Sequence, residues 1–190
     1  VSFTELPVPS LETERLVMRS WQEQDFECLK SIFCHEETAR YVGGARSEHM
    51  VWRQMATIIG HWHMRGFTVF AVERKDDGKT IGYAGPWYPL EWPEPEIGYA
   101  LIPEAQGKGY AFEAVLAALG YVYDELGWET AISVIERENE GSRSLAKRLR
   151  AHLVGDIILP ERPPAEIWRH LSPTAFKEQF GSRVVASISD

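Results

Sequence analysis

Along this chain the spacing of apolar positions switches repeatedly between a period near two and a period near 3.6. That alternation predicts strands interleaved with helices, and hence an α/β fold built on a mixed sheet. After a first strand near the start, Gln22–Cys34 reads as a helix and Glu36–Val42 as a short helical turn broken by Gly43-Gly44. Ser47 then caps a longer helix through Arg65, closed by Gly66. Phe67–Arg74 alternates as a strand, and Asp77-Gly78 is a strong hairpin signal into Thr80–Trp87. Prolines 86, 89, 93 and 95 make the following stretch a loop. Next come a strand over Ile97–Ile102 and a helix to about Leu126, with Val115, Leu119, Val122 and Leu126 along one face. Trp128–Ile135 reads as a central strand, and Ser142, Leu145, Ala146 and Leu149 mark the inner face of another helix. Leu153–Leu159 and Ala165–Leu171 suit a closing strand pair, and Ser172-Pro173 opens a short helix stopped by Gly181. Residues 182–190 are expected to fray.

Composition narrows the setting more than the chemistry. The 190 residues suit a single domain over 1–190, with its core at about 10–172. At 44% hydrophobic and 25% charged the chain resembles an ordinary globule. No apolar run reaches the length of a membrane span and no leader is evident, so no membrane partner is expected. Cys28 and Cys34 lie six apart on one helix, poorly aligned for a disulfide, which suits the reducing cytoplasm. A net charge of −8 without a basic face argues against nucleic acid and would suit cationic amines. Monomer and homodimer remain equally open.

The chemistry is concentrated where the Ile97–Ile102 strand turns into the next helix. A glycine-containing turn at a helix start leaves several N–H groups unpaired, with the positive end of the helix dipole behind them, and so forms an anion site. Gly107 and Gly109 let a diphosphate approach the main chain. The Walker A pattern is absent, and the dinucleotide pattern G-x-G-x-x-G fails at Phe112. What stands there is Gln106-Gly107-Lys108-Gly109-Tyr110-Ala111. It resembles the Gln/Arg-x-x-Gly-x-Gly/Ala signature of the GNAT superfamily of CoA-dependent N-acyltransferases. The segments beginning at Leu11, Lys79, Glu96 and Asn139 follow in the order shown by the branch that acetylates ribosomal-protein N-termini (Rim-type), and the resemblance covers about residues 10–172.

That resemblance implies a GNAT fold, its mixed sheet splayed between the fourth and fifth strands and flanked by helices, and acetyl-CoA as co-substrate. It places the diphosphate on residues Gln106, Gly107, Lys108, Gly109, Tyr110 and Ala111, and pantetheine along the strand edge at Ala100, Leu101 and Ile102, with Asn139 holding its arm. An N–H near Ala100 or Leu101 would serve the oxyanion. Glu96 matches the position of a catalytic glutamate in histone-acetylating relatives and is the candidate base for the amine, through water. Glu91 and Glu94 are fallback bases or a rim that attracts cations. Many relatives protonate the departing thiolate with a tyrosine where Ala146 stands here; the Rim-type branch has instead a serine, Ser142, which with Asn139 also reads as a helix cap. Trp87 and Trp92 are candidates for the acceptor pocket, and no metal site is expected, because His61 and His63 point to different helix faces. The branch's Leu-Gly-Phe is here Leu149-Arg150-Ala151, which removes a glycine from the helix end. The expected reaction is transfer of acetyl to a primary amine of a peptide N-terminus or a small molecule by direct attack on the thioester. The rival from another class is a non-catalytic acyl-CoA-binding or sensing domain.

Overall fold

The computed structural model describes residues 8–160, 162–181 and 187–189, the last three by their backbone alone. The predicted first strand is a tight hairpin, β1 (Ser10–Glu12) and β2 (Leu16–Arg19), with Leu11 opposite Met18. Thr13 makes the turn: its N–H bonds the Leu16 carbonyl at 3.0 Å and its hydroxyl receives the Leu16 N–H at 3.0 Å. Then come α1 (Phe26–Phe33), α2 (Glu36–Ala39) and α3 (Glu48–Arg65). β3 (Phe70–Arg74), β4 (Thr80–Trp87) and β5 (Glu96–Leu101) form an antiparallel meander. α4 (Tyr110–Asp124) and β6 (Ile132–Glu136) make the crossover, and α5 (Glu140–Arg148), β7 (His152–Ile157), β8 (Ala165–Arg169) and α6 (Pro173–Phe180) follow.

Among the described residues the strands form one sheet in the order β7-β8-β6-β5-β4-β3-β2-β1-β9. Part of the tail expected to fray is an ordered edge. Residues 182–186 and 190 lie outside the described residues, but β9 (Ser187–Ser189) pairs antiparallel with β1 and satisfies main-chain groups that would otherwise form an open edge. All pairings are antiparallel except one. β5 and β6 are parallel and meet only at Glu96↔Ile132, so the sheet opens like a V beyond Glu96.

α4 departs from the single apolar stripe expected of it. Every residue from Ala114 to Tyr123 is buried, because the helix lies between the sheet and α6. Tyr123 meets Phe176 edge-on at 5.3 Å and donates its hydroxyl to the Leu171 carbonyl at 2.6 Å. This packing fixes the start of α4 at the mouth of the V. α5 keeps a left-handed end although its sequence lacks the glycine expected there. Arg150 occupies the left-handed position (φ 61), with Arg150 N–H to Lys147 O at 3.0 Å and Ala151 N–H to Ala146 O at 2.9 Å, the two bonds of a Schellman cap. No described helix is long and apolar enough to cross a membrane.

Candidate active site

Gly107 (φ 72) and Gly109 (φ 84) both take left-handed conformations that turn the chain from β5 into α4. Among the described residues the amides of 107–112 have no partner; the first that bonds is Glu113, to the Gly109 carbonyl at 3.2 Å. Six donors therefore face outward at the positive end of a fifteen-residue helix. Lys108 and Gln106 are both exposed, and the Gln106 side chain folds back to donate to the Leu101 carbonyl at 2.9 Å. Both residues thus offer the turn's main chain.

Arg15, whose role the sequence did not reveal, braces this turn. It donates to Glu113 at 2.7 Å and to the Lys108 carbonyl at 3.0 Å, and its guanidinium lies 4.5 Å from the centre of the Tyr110 ring. Glu113 also accepts from Thr13 and from the Arg15 N–H, so an acid in the first turn of α4 is neutralised. The signal was the Thr13-x-Arg15 pair read together with Glu113, a relation across about a hundred residues that only the fold makes visible.

The free edge of β5 differs by one residue in phase from the expected one. Ile102 N–H bonds Ile81 O at 2.9 Å, and residues alternate direction in an antiparallel ladder, so Gly98 and Ala100 also turn their main chain toward β4. Tyr99 and Leu101 are left facing the gap. Of the predicted edge residues, Leu101 lies on it, whereas Ala100 and Ile102 spend their amides on β4. At the closed end Ser133 Oγ donates to the Ile97 carbonyl at 2.9 Å and lies 3.0 Å from His170 Nε2. The serine proton is committed to the carbonyl, so Nε2 carries the histidine's proton and the buried Nδ1 is left bare.

Glu96 sits at the apex of the V, only 8% exposed. Its carboxylate accepts the Val134 N–H at 3.0 Å and the Trp92 indole N–H. Burial pushes the Glu96 carboxyl above its ordinary range, against those two hydrogen bonds and the more distant Arg162. Glu94 is held by Arg169 at 2.6 Å, which lowers its pKa, so it is a structural anion and not a spare base. Around Glu96 lies a cleft of about 300 Å³ lined by Trp87, Trp92, Tyr99, Asn139 and Ser142 among others. Trp87 stacks on His61 at 4.4 Å, and His61 is pinned by Phe67 O at 2.7 Å and Tyr88 N–H at 3.2 Å. His61 is thereby a packing residue, and the described residues contain no cluster of potential metal ligands.

Asn139 Oδ1 accepts the Ser142 N–H at 3.0 Å and caps α5. Ser142 and Tyr99 both line the cleft, and burial pushes the Tyr99 phenol up to about 12. Tyr99 is the second residue missed in the sequence; within Glu-Ile-Gly-Tyr it read only as strand. Cys28 is buried in the core with its thiol pushed up to about 12, which leaves it inert as an acyl carrier.

A turn with six unpartnered amides, a parted strand edge and a buried glutamate at its apex thus meet at one end of the sheet. Residues 15–152 match the acetyltransferase (GNAT) domain family, and the chain belongs to it. An uncharacterized N-acetyltransferase of Bacillus subtilis, YoaA, is 29% identical over 145 residues, covering 74% of this chain and 81% of that protein. An acetyltransferase structure from Agrobacterium tumefaciens superposes with TM-score 0.79 at 24% identity, covering 90% of this chain and 99% of its own. An aminoglycoside acetyltransferase in complex with coenzyme A has TM-score 0.72 at 16% identity, covering 86% and 98%.

Proposed function

We propose that this protein transfers acetyl from acetyl-CoA to a primary amine in a single direct step. The observation that carries the reading is the run of unpaired amides at 107–112 placed at the mouth of a split whose apex holds Glu96. The diphosphate takes those amides, and pantetheine runs as an added strand along Tyr99 and Leu101. A shallow depression beside the turn, lined by Phe112, Ser144, Lys147, Arg148 and Arg150, offers three cations to the nucleotide's remaining phosphate.

Glu96, with its raised pKa, takes the proton of the incoming ammonium through water. The neutral nitrogen attacks the thioester carbon, and the oxyanion meets the N–H of Tyr99 or Leu101. As the C–S bond breaks, the nitrogen sheds its second proton, which passes to the departing sulfur with the Ser142 hydroxyl as the relay. Asn139 retains its NH2 group for the pantetheine arm while its oxygen caps α5. The four ordered sequence segments support the Rim-type branch and so a peptide N-terminus as one acceptor; a cleft of about 300 Å³ also suits a small amine.

The test is release of free CoA thiol from acetyl-CoA across peptides and amines. Glu96→Gln should lower kcat/KM by about 10²–10⁴ with acetyl-CoA affinity kept. In the parent enzyme activity should rise as pH passes upward through the raised Glu96 pKa, because the base works only when ionised, and the variant should lose that acidic limb. A variant with full activity and an unchanged profile would remove Glu96 as the base. Acetyl-CoA bound without any thiol release would favour the sensing domain instead.

A further inference from the structure

The acceptor cleft contains two arginines with no counter-ion among the described residues. Among the described residues neither Arg46 nor Arg162 forms an ion pair, although Arg19 and Arg169 each grip a carboxylate. Arg46 lies over the Phe33 ring at 5.2 Å and donates to Gln54 at 2.7 Å; Arg162 lies over the Trp92 ring at 5.3 Å. The two converge on Gly43, where a Cβ would lie 2.7 Å from Arg46 Nη2 and 3.6 Å from Arg162 Nη2. Like charges packed this closely repel. Burial and the Arg162 charge both hold the Arg46 pKa below its usual value, so the pair is electrostatically unfinished. Glu96 and Glu136 line the same cleft and feel Arg162, but at a distance longer than an ion pair.

The cleft therefore has two poles, a carboxylate pole at Glu96 and a guanidinium pole at Arg46 and Arg162. A polyamine would meet the second pole with repulsion. A guanidinium pair offers planar, forked donors suited to a carboxylate or a phosphate. We infer that the acceptor is a zwitterion, a small primary amine bearing a compact anionic group, with its amine toward Glu96 and its anion between Arg46 and Arg162. The inference rests on the acetyl-transfer reading and specifies its substrate class. It also runs against the chain's overall negative charge, which by itself would suit a cation; the local pair decides.

The experiment compares kcat/KM for free amino acids with that for the matching amino acid amides, with phosphoethanolamine and spermidine alongside, in the parent and in Arg46→Gln and Arg162→Gln. The expected result is at least a tenfold preference for the anionic amine, lost in either variant while KM for acetyl-CoA stays within twofold. Faster turnover of the amino acids assigns a carboxylate, and of phosphoethanolamine a phosphate. Equal or better turnover of amides or spermidine overturns the inference and leaves the acetyl-transfer reading intact. So does an equal loss on charged and neutral acceptors in the variants, which would make the arginines mere counter-charges for the glutamates. Calorimetry gives a readout free of turnover: N-acetylglycine should bind the parent at least tenfold more tightly than its amide and lose that margin in Arg162→Gln. Equal or absent binding of both overturns the inference. Failure of acetyl-CoA itself to bind would instead strike the underlying reading.

Discussion

α4 and α5 both begin beside the split sheet, one after β5 and the other after β6, yet they treat their orphan amides in opposite ways. α5 is self-contained: Asn139 lends its side-chain oxygen to the Ser142 N–H. α4 starts from Gly109 with no capping side chain and leaves the amides of 107–112 open. An unsatisfied helix start costs stability unless water or a ligand fills it. The difference separates a helix end closed by the fold itself from one left open, where the proposed diphosphate would sit. The sheet repeats the contrast. Its closed end is filled by Ser133, His170 and the Glu96 carboxylate, whereas the Tyr99 main chain and the Leu101 N–H face the open edge, the Leu101 carbonyl being taken by Gln106.

The largest effect should come from spoiling the open helix start. Gly107→Val puts a branched side chain at φ 72, where nothing in the protein stands within 4 Å, so it strains the turn and obstructs the ligand without clashing in the core. The strain is about 1–2 kcal/mol, and loss of one charge-assisted hydrogen bond adds about 1.5–3 kcal/mol. The strain lowers stability in free and bound protein alike, so acetyl-CoA affinity should fall by about one to two orders of magnitude from the lost hydrogen bond, measured by calorimetry, with helical content unchanged. Lys108→Ala should change it little, since that side chain faces solvent. If the two variants behaved alike, the turn would not be binding through its main chain.

Next comes the closed end of the V. His170 is buried with a bare Nδ1, and burial lowers its pKa from 6.5 to about 4. With a depressed folded-state pKa, the neutral ring's stability is fully present above about pH 6.5. It is lost as pH falls toward 4, where the unfolded chain takes the proton and the fold does not. The loss amounts to about 3 kcal/mol at most. Urea unfolding at pH 7 and pH 4.5 should show it, and His170→Gln should lose less over that interval. An identical acid loss in the variant would assign the effect to carboxylates elsewhere.

Removing the self-made cap should cost less. Asn139→Ala leaves the Ser142 amide orphaned, and stability should fall by about 1 kcal/mol, read from the denaturation midpoint. If Asn139 also holds the pantetheine arm through its NH2 group, KM for acetyl-CoA should rise as well. A loss of stability with KM unchanged would leave it a cap only.

These regions also show what could be read before folding. The glycine turn, the hairpin at Asp77-Gly78 and the Asn139–Ser142 cap are local, so their residue types and spacing announced them. The phase of the β5 edge was not local: it follows from pairing with β4, which directs the Ala100 and Ile102 amides away from the gap. Arg46 and Arg162 meet at one pole of the cleft but lie more than a hundred positions apart in sequence, and no motif joins them. The β1–β2 turn was hidden because Thr13 supplies the bonds that a glycine or proline signal would otherwise have advertised.

The smallest expected effect is a gain. At the far end of α5, Arg150 holds a left-handed conformation that costs a side chain about 1–2 kcal/mol. Both Schellman bonds are made, and Ala146 and Ala151 pack with Ile135 and Trp168, so the cap is fixed by its surroundings and not by residue 150. Arg150→Gly removes the strain but gives the unfolded chain more freedom, which returns about 0.5–1 kcal/mol. The net gain should be about 0.5–1 kcal/mol, visible as a higher denaturation midpoint. Arg150 also borders the cationic depression beside the phosphate turn. If the arginine is there for the nucleotide, the stabilised variant should bind CoA more weakly than its parent while both bind dephospho-CoA equally. A variant that gained stability and kept full CoA affinity would show that the arginine strains α5 to no purpose at this site.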